Sequence, residues 1–475
     1  MRKGLVLSLF MAVMLIIGVV SWSFIQKDDP EVDNLANDTT ENFTPQSIPS
    51  GADSQYDIHL TMNSDGAFQV ESTVNIKNTS NDAWSDLVFY FIPNIFTEET
   101  SELLNHSLDE PAEVNLHHVE VAGKSMAYDL EQDTLTIPIE TDIQPDQEVE
   151  VYFSYEFTLP DGGLRFTKSD DNYHLAHFYP MVPTYRDGQW NKEDYMFWGE
   201  TYHTDFSDFN ISYDIPKEYT FVSTGDGDDP DKNTGSFQVE NVKEVFIAVV
   251  KNPIMIDEQV GDTNLRVLGF EDEKELYEEF FDLAADVLNY FEEKIGPYPL
   301  SQLDIVIDGL GMEYPGIVTA RTIYDRPVSS DVIKNIIVHE IAHQWFYGVV
   351  SNDPYYEAWL DEGMTNFAQG LFLLTQAEEE PVYTDETTND YETLPVNLPL
   401  DQYMDGYQIY SLSSTMLMNL FEDRGGIAEA ENFLAAYYDN YQYKEVDTEE
   451  FVRFAKYYFE MDDNSEFEEW LELSE

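Results

Sequence analysis

The sequence predicts a multidomain α+β protein in which a β-rich N-terminal half precedes a largely helical second half. Three observations lead to this fold class. Apolar and polar residues alternate in short runs between residues 56 and 250, as half-buried strands require. From residue 275 onward the apolar residues recur at helical spacing instead. The length of 475 residues also exceeds that of one ordinary domain.

The clearest strand signal is a hairpin near the start of the β-rich half. Residues 56–62 and 68–76 alternate apolar and polar side chains on either side of the turn-forming run Asn63-Ser64-Asp65-Gly66. Further strands are predicted at residues 87–91, 135–139, 149–157, 209–215 and 245–250. Many short strands separated by Gly, Asp and Pro are typical of a β-sandwich, so we predict a β-sandwich-like domain over residues 51–253.

The second half alternates between helical and strand patterns before it becomes helical throughout. A helix is predicted at residues 275–295, because its apolar spacing ends at Gly296-Pro297. A strand at residues 303–307 follows. Further helices are predicted at residues 357–376, 409–423, 428–438, 448–459 and 466–473.

The N-terminus predicts where the rest of the chain resides. Arg2 and Lys3 precede an apolar run over residues 4–25, which is long enough to span a bilayer. Positive charge ahead of such a run predicts a single-pass cell-membrane protein with its N-terminus in the cytoplasm and its body outside. The alternative is a secreted protein, with residues 1–27 a signal segment cleaved near Ser21-Trp22-Ser23. Residues 28–50 are polar and acidic and are predicted to be a linker.

Composition excludes several classes of function. The chain has no cysteine, which rules out disulfides, a thiol nucleophile and cysteine metal sites. It carries 94 acidic and 23 basic residues, for a formal net charge of −71. Such a surface repels nucleic acid, so no nucleic-acid partner is expected. An acidic run at residues 225–231 lacks the spacing of a calcium loop, and we interpret it as a solvated turn.

A metal-binding pattern lies in the second half of the chain. His339 and His343 are four residues apart on a predicted helix that starts near Ser329-Ser330 and ends at Gly348, so both imidazoles can reach one ion. Glu340 lies beside the first histidine, where a carboxylate can take a proton from water. Glu362, after eighteen intervening residues, would be the third ligand of one Zn2+ per chain. The alternative is an accidental match within a core helix.

Three blocks around this pattern resemble a known family. The run His339-Glu340-Ile341-Ala342-His343-Gln344-Trp345-Phe346, with Trp359-Leu360-Asp361-Glu362-Gly363 after it, is similar to the aminopeptidase N type of gluzincin. Residues 311–321 resemble the GAMEN segment of that family. Asp361 stands where the family usually has Asn, and Tyr314 replaces the Asn of the GAMEN segment.

The resemblance implies a role for each matched residue. Glu313 would bind the free amine of a substrate, within a substrate-binding segment that includes Gly311 and Met312. Tyr410 would support the oxyanion of the reaction, although Leu412 and Ser413 replace the family's Lys and Gly beside it. Tyr403 and Tyr407 are alternatives for that role.

The same resemblance implies a domain layout and an activity. A thermolysin-like α+β zinc peptidase domain is expected at residues 254–378, with a small helical C-terminal part at residues 379–475. Larger family members continue into a helical domain that covers the cleft, so a more open cleft is expected here. The implied function is a zinc metallopeptidase outside the cytoplasmic membrane, most simply an aminopeptidase acting on peptides with a free N-terminus.

Two other functions stay open at this stage. A zinc endopeptidase would use the same ligands, and a non-catalytic surface or adhesion ectodomain would need only the anchor and the β-rich half. The remaining histidines do not predict a second metal site. His117 and His118, and likewise His174 and His177, lack a third ligand in sequence and are interpreted as surface or domain-interface residues. The sequence leaves the oligomeric state unknown.

Overall fold

The computed structural model describes residues 40, 42–225, 229–320, 328–376, 394–403 and 406–474. The predicted anchor at residues 4–25 lies outside this range, as does the middle of the acidic run at residues 225–231. Within the described part of the chain, no helix combines the length and apolar character needed to cross a membrane.

Strands β1 to β16 occupy the N-terminal half. In chain order they span Ala52–Met62, Phe68–Asn78, Trp84–Tyr90, Val114–Val121, Lys124–Ser125, Asp129–Glu131, Thr134–Ile143, Glu148–Phe157, Phe166–Ser169, Asn172–Leu175, Thr184–Arg186, Gln189–Asn191, Ser207–Asp214, Tyr219–Ser223, Thr234–Val242 and Ile247–Lys251. Short 3-10 turns at Ile92–Phe96 and Ser101–Leu104 lie between β3 and β4.

The hairpin that the sequence predicts is the centre of the largest sheet. Strands β1 and β2 pair antiparallel, with Leu60 opposite Val70, and the backbone of Asn63 closes the turn with Ala67. Seven strands form this sheet in the order β15-β13-β1-β2-β8-β4-β5. Alternate residues of β1 are buried, including Ile58 and Leu60, because every second side chain points to the same face of a strand.

Smaller sheets complete the β-rich half around a shared hydrophobic core. The described strands form a four-stranded sheet in the order β14-β16-β10-β9, a three-stranded sheet β3-β7-β6 and the pair β11-β12. A large cluster of buried apolar side chains joins them, and aromatic rings such as Phe89, Phe153 and Tyr155 contribute much of it. Burial of this apolar surface is the main stabilising contribution to the domain.

A second sheet begins where the β-rich half ends. Strands β17 to β20 span Ile254–Val260, Thr263–Gly269, Gln302–Val306 and Ile317–Thr319, and they pair in that order. Strands β18 to β20 run parallel. In β18 and β19, Arg266 lies opposite Asp304, and the Arg266 Nε donates to Asp304 Oδ1 at 2.6 Å. Both side chains are buried, so each charge requires the other.

Six described helices and a short strand pair make up the rest of the chain. The helices α1 to α6 span Lys274–Lys294, Ser330–Ala342, Met364–Gln376, Ser413–Asn419, Ile427–Tyr441 and Thr448–Tyr458. Strands β21 and β22 are Val350–Ser351 and Lys444–Glu445. Two segments are π-helical, Trp359–Gly363 and Tyr407–Leu412, and Leu400–Gln402 is a 3-10 turn.

The structure corrects two of the predicted helices. In place of the helix predicted at residues 466–473, residues 466–470 form turns and residues 471–473 have no regular secondary structure. Helix α2 begins as expected, since the carbonyl of Ser329 accepts the amides of Val332 and Ile333, but it ends at Ala342 and not at Gly348. His343 therefore lies just beyond the helix, where the chain tightens into a turn in which the amide of Gln344 bonds to the carbonyl of Ile341 at 3.0 Å.

The described residues divide into two compact units. One consists of Pro49–Ala285 with Leu300–Glu340, and the other contains Asp286–Pro299 with Ile341–Glu475 and the residues up to Ile48. One of the boundaries between these units falls inside helix α2, between Glu340 and Ile341. The predicted domain limits at residues 27, 50, 253 and 378 stay predictions.

In the helical unit, the end of the predicted linker packs on the last helices. Phe43 is 9% exposed and its ring lies 5.3 Å from that of Phe454, while the guanidinium of Arg453 lies 4.3 Å from the centre of the Phe43 ring. The amide of Gln46 donates to Glu450 Oε1 at 2.7 Å. Residues 43–48 are therefore a packed part of this unit.

Candidate active site

Helix α2 presents the first part of the predicted metal site. Its apolar residues Ile337, Val338 and Ile341 are buried, which fixes the rotation of the helix. His339, Glu340 and His343 are also buried, at 5%, 2% and 1% exposure. Because His339 and His343 are four residues apart, their side chains lie one above the other along α2 and the turn that follows it.

The third predicted ligand approaches from the π-helical segment Trp359–Gly363. His343 Nε2 lies 3.2 Å from Glu362 Oε2. The ligand atoms of His339, His343 and Glu362 all lie within 4.8 Å of one another. Two ligand atoms on one tetrahedral zinc ion are roughly 3.3 Å apart, since each bond is about 2.0 to 2.1 Å long. This set of two imidazoles and one carboxylate therefore fits Zn2+.

The opposite nitrogen of His343 faces a second carboxylate. Nδ1 lies 2.8 Å from Asp361 Oδ1, 3.0 Å from Thr365 Oγ1 and 3.1 Å from the carbonyl of Phe346. Asp361 is 2% exposed. A carboxylate there holds the proton on Nδ1 and leaves Nε2 free to bind a metal. In the sequence, Asp361 was noted only as a departure from the family's usual Asn. Its position next to Glu362 was the sequence signal for its role beside His343.

A glycine allows the two π-helical segments to approach one another. A Cβ atom on Gly363 would lie 2.2 Å from Ser413 Oγ and 3.0 Å from the carbonyl of Ile409. Ile409 lies in the second π-helical segment, and Ser413 is the first residue of α4. Glycine is therefore the residue that fits at position 363. The π-helical form of both segments is itself a feature that recurs at functional sites.

This approach brings Tyr410 to the metal site. Its hydroxyl donates a short hydrogen bond to Glu362 Oε1. The hydroxyl of Tyr403 is engaged elsewhere, since it donates to the carbonyl of Pro395 and accepts the amide of Leu398, each at 2.7 Å. Tyr407 begins the π-helical segment and is half-buried. Of the three candidate tyrosines, Tyr410 contacts a predicted ligand through its hydroxyl.

The predicted substrate segment lies beside the predicted general base. A Cβ atom on Gly311 would lie 2.7 Å from Glu340 Oε1 and 2.9 Å from Ile336 Cγ2. The lack of a side chain thus lets residues 311–313 pass next to Glu340. Glu313 is 5% exposed, two residues further along this segment.

Met312 has a structural position in the same segment. Its side chain is buried in a cluster with Val306 and Tyr314, and its Sδ lies 3.2 Å from Arg165 Nε. Its backbone amide and carbonyl bond to those of Thr319, at 3.2 and 3.0 Å. These contacts fasten the segment to the rest of the protein. The prediction that Met312 binds substrate stays a prediction.

Comparison with known proteins finds a family that matches this region. Residues 279–470 match the peptidase family M1 domain. They include helix α2, both π-helical segments and Glu313, so the family resemblance predicted from the sequence is confirmed.

Curated relatives of the M1 domain are longer proteins. The chain is 24% identical over 326 residues to Aminopeptidase 2 of Candida albicans, covering 59% of this chain and 33% of that protein. It is 26% identical over 226 residues to Aminopeptidase M1-D of Oryza sativa subsp. japonica, covering 42% of this chain and 24% of that protein. The chain thus spans about a quarter to a third of the length of these relatives.

Solved structures extend the similarity to nearly the whole fold. The crystal structure of an M1 zinc metallopeptidase from Deinococcus radiodurans matches with a TM-score of 0.64 at 15% sequence identity, over 92% of this chain and 97% of that one. A two-domain M1 zinc metallopeptidase bound to L-tryptophan matches with a TM-score of 0.62 at 15% identity, over 92% and 98%. The predicted fold, a β-rich domain before an α+β peptidase domain with C-terminal helices, is confirmed.

A partly buried glutamate that sequence analysis missed, Glu357, lies just before the π-helical segment that carries Glu362. Burial raises the pKa of Glu357 to about 7, and hydrogen bonding to Thr448 opposes the rise only in part. The Thr448 hydroxyl donates to Glu357 Oε2 at 2.5 Å and accepts from Trp359 Nε1 at 2.9 Å. These contacts tie the π-helical segment that carries Glu362 to the start of helix α6.

The histidines interpreted as surface or interface residues are buried. His174 and His177 are 2% and 1% exposed, so neither is a surface residue, and the domain-interface alternative stays a prediction. His174 Nε2 lies 3.2 Å from Asp308 Oδ2, and His177 Nε2 lies 2.9 Å from Glu244 Oε2. Each histidine is therefore paired with a carboxylate inside the protein. His117 is largely exposed, as predicted.

The position of Asp361 predicts its effect on metal binding. We expect Asp361→Asn to weaken zinc binding by about 10-fold to 100-fold, because the amide loses the charge that holds His343 in its ligand form. Competition with a chromophoric chelator measures the zinc Kd. Asp353→Asn is the control, since Asp353 is also buried but accepts the amides of Tyr355 and Tyr356 instead. An equal zinc Kd in Asp361→Asn and wild type would contradict the assignment.

Proposed function

We propose that this protein is a zinc-dependent metallopeptidase, and specifically an aminopeptidase that removes N-terminal residues from peptides. The observation that carries the proposal is the convergence of His339, His343 and Glu362, with Glu340 next to the first ligand on helix α2. Three protein ligands leave one position of a tetrahedral ion for water or substrate, which is the arrangement of catalytic zinc sites. The M1 domain supports the same chemistry.

Glu340 is assigned the proton transfer. Zn2+ held by the three ligands would polarise the scissile carbonyl and acidify a water molecule. The Glu340 carboxylate takes a proton from the attacking water and later passes it to the leaving amine. Its burial at 2% exposure keeps bulk water away from this transfer.

Tyr410 is assigned the stabilisation of the oxyanion. Its hydroxyl already lies within hydrogen-bond distance of the ligand Glu362. A phenol in that place is a neutral donor, and it can turn from the carboxylate to the oxygen on which negative charge develops. The hydroxyl of Tyr403, by contrast, is held by residues 395 and 398.

Glu313 is assigned the recognition of the substrate amine. It lies two residues after Gly311, whose backbone passes Glu340, so its carboxylate belongs to the same region as the predicted base. A buried carboxylate attracts a cation strongly, and the ammonium at a free N-terminus is the cation that would fix the distance to the first peptide bond. The substrate class is therefore peptides with a free N-terminus.

A second candidate function is a zinc endopeptidase on the same scaffold. It would use the same ligands and base but would not require the substrate amine. A non-catalytic surface or adhesion role is less consistent with the buried ligands, because two imidazoles and three carboxylates in one buried region need a cation or catalytic partners to be stable. The amine requirement separates the first two functions.

The proton-transfer role predicts the effect of one substitution. Glu340→Gln is expected to retain stoichiometric zinc but to lose at least about 100-fold in kcat, because the amide cannot accept a proton from water. Metal analysis and initial rates on an aminoacyl-p-nitroanilide measure the two properties. The control is Glu279→Gln. Glu279 is an exposed residue of helix α1 that pairs with Lys334 of helix α2, the helix that carries Glu340. Turnover equal to wild type in Glu340→Gln would remove the proposed mechanism.

The amine-binding role predicts a change in substrate preference. Wild type is expected to cleave a peptide with a free N-terminus faster than its N-acetylated form. Glu313→Gln should reduce kcat/KM for the free peptide by about 30-fold, since a charge-assisted hydrogen bond contributes roughly 2 kcal/mol. The exposed Glu258→Gln in strand β17 is the matched control. Equal cleavage of the free and acetylated peptides by wild type would instead favour the endopeptidase.

We place this activity outside the cytoplasmic membrane, with residues 4–25 as a single-pass anchor. The support is Arg2 and Lys3 ahead of the apolar run. External protease is expected to release the folded body from intact cells, and the mass of the membrane-bound form should include residue 1. A body found only in the medium, beginning near residue 24, would support the secreted alternative.

A further inference from the structure

The loop that carries Glu313 begins at Asp308, two residues after the end of strand β19. The Asp308 carboxylate is bonded through both oxygens. Oδ1 accepts the amide of Gly309 at 2.9 Å. Oδ2 accepts the side-chain amide of Asn172 at 2.7 Å and lies 3.2 Å from His174 Nε2. Burial raises the pKa of Asp308, but the hydrogen bonds from His174 and Asn172 outweigh it and lower the pKa overall.

Asn172 and His174 are themselves held firmly. Both belong to strand β10, whose residue His174 pairs with Ala248 of strand β16. The Asn172 Oδ1 accepts the amide of Lys251, at the end of β16, at 3.0 Å. His174 is 2% exposed. The Asp308 carboxylate is thus fastened to two paired strands of the β-rich half, in the same compact unit.

The backbone after Asp308 fits closely against His174. Gly309 has φ +84°, a conformation that side chains rarely adopt, and a Cβ atom there would lie 3.5 Å from the His174 ring. At the other end of the loop, the ring of Tyr314 stacks on that of Phe246, the residue directly before β16, with 4.1 Å between the ring centres. Glu313 therefore lies between two attachments to the same sheet.

We propose that Asn172 and His174 are positioning residues that hold Glu313 in register through Asp308. The inference rests on the proposed aminopeptidase function. In this arrangement the β-rich half determines how deep the free amine of a peptide enters the site. Neither residue touches the reacting atoms; each acts through the loop at residues 308–314. A displacement of about 1 Å in a group that orients substrate can reduce the rate by about 100-fold, so such an anchor has a measurable effect.

Substitutions in strand β10 test the anchor in the full-length chain. In His174→Ala and Asn172→Ala, amide hydrogen exchange across residues 308–316 should become faster. The kcat/KM for a free peptide should fall by about 10-fold to 100-fold, while that for the N-acetylated peptide should not change. His174→Gln should restore much of the preference, because its amide can donate to Asp308. Lys251→Ala is the control, since its side chain pairs with the exposed Asp171 and its backbone amide is retained.

The results separate this inference from the proposed function. Wild type that cleaves free and acetylated peptides equally contradicts the aminopeptidase assignment. Hydrogen exchange can be measured without enzymatic activity. It therefore tests whether strand β10 anchors residues 308–316 even if the aminopeptidase assignment fails. If His174→Ala and Asn172→Ala both fold and keep wild-type exchange across residues 308–316 together with the wild-type preference for the free peptide, the positioning role is overturned.

Discussion

The contact at Gly363 is the constraint on which the candidate site depends. Because a Cβ atom there would lie 2.2 Å from Ser413 Oγ, the two π-helical segments can meet only at a glycine. That meeting brings the Tyr410 hydroxyl to Glu362 Oε1, while the other oxygen of Glu362 lies 3.2 Å from His343 Nε2. One missing side chain thus fixes the relation between a ligand, an imidazole and the assigned oxyanion donor.

A second constraint acts on the substrate side, and it also begins at a glycine. Gly311 lets its loop pass beside Glu340. Met312 then holds the loop in place through backbone hydrogen bonds with Thr319 and a contact between its sulfur and Arg165. The loop is bound to the β-rich half at Asp308 and at Tyr314. The β-rich half is therefore more than a support for the peptidase domain, because it sets the position of the residue that would choose between exopeptidase and endopeptidase cleavage.

The features predicted from the sequence are those with a local signal. The β1–β2 hairpin has a period of two and a turn of its own, and the HExxH motif lies within helix α2 and the turn that directly follows it. The missed features depend on distant residues. The π-helical turn at Glu362 and the burial of His174 depend on packing against residues far away in sequence. The absent helix at residues 466–473 shows that a favourable pattern alone is insufficient in so short a segment.

Asp361 connects the charge of the site with its stability. The helical unit places Asp361 and Glu362 on opposite sides of the His343 ring, one at each nitrogen. Burial of a carboxylate without a compensating cation costs several kcal/mol, and a neutral imidazole compensates little of it. With Asn at this position, as is usual in the family the sequence resembles, one such charge would be absent. The extra carboxylate therefore makes this unit depend more strongly on a bound cation, so that metal affinity and the stability of the ligand segment are coupled here through a single residue.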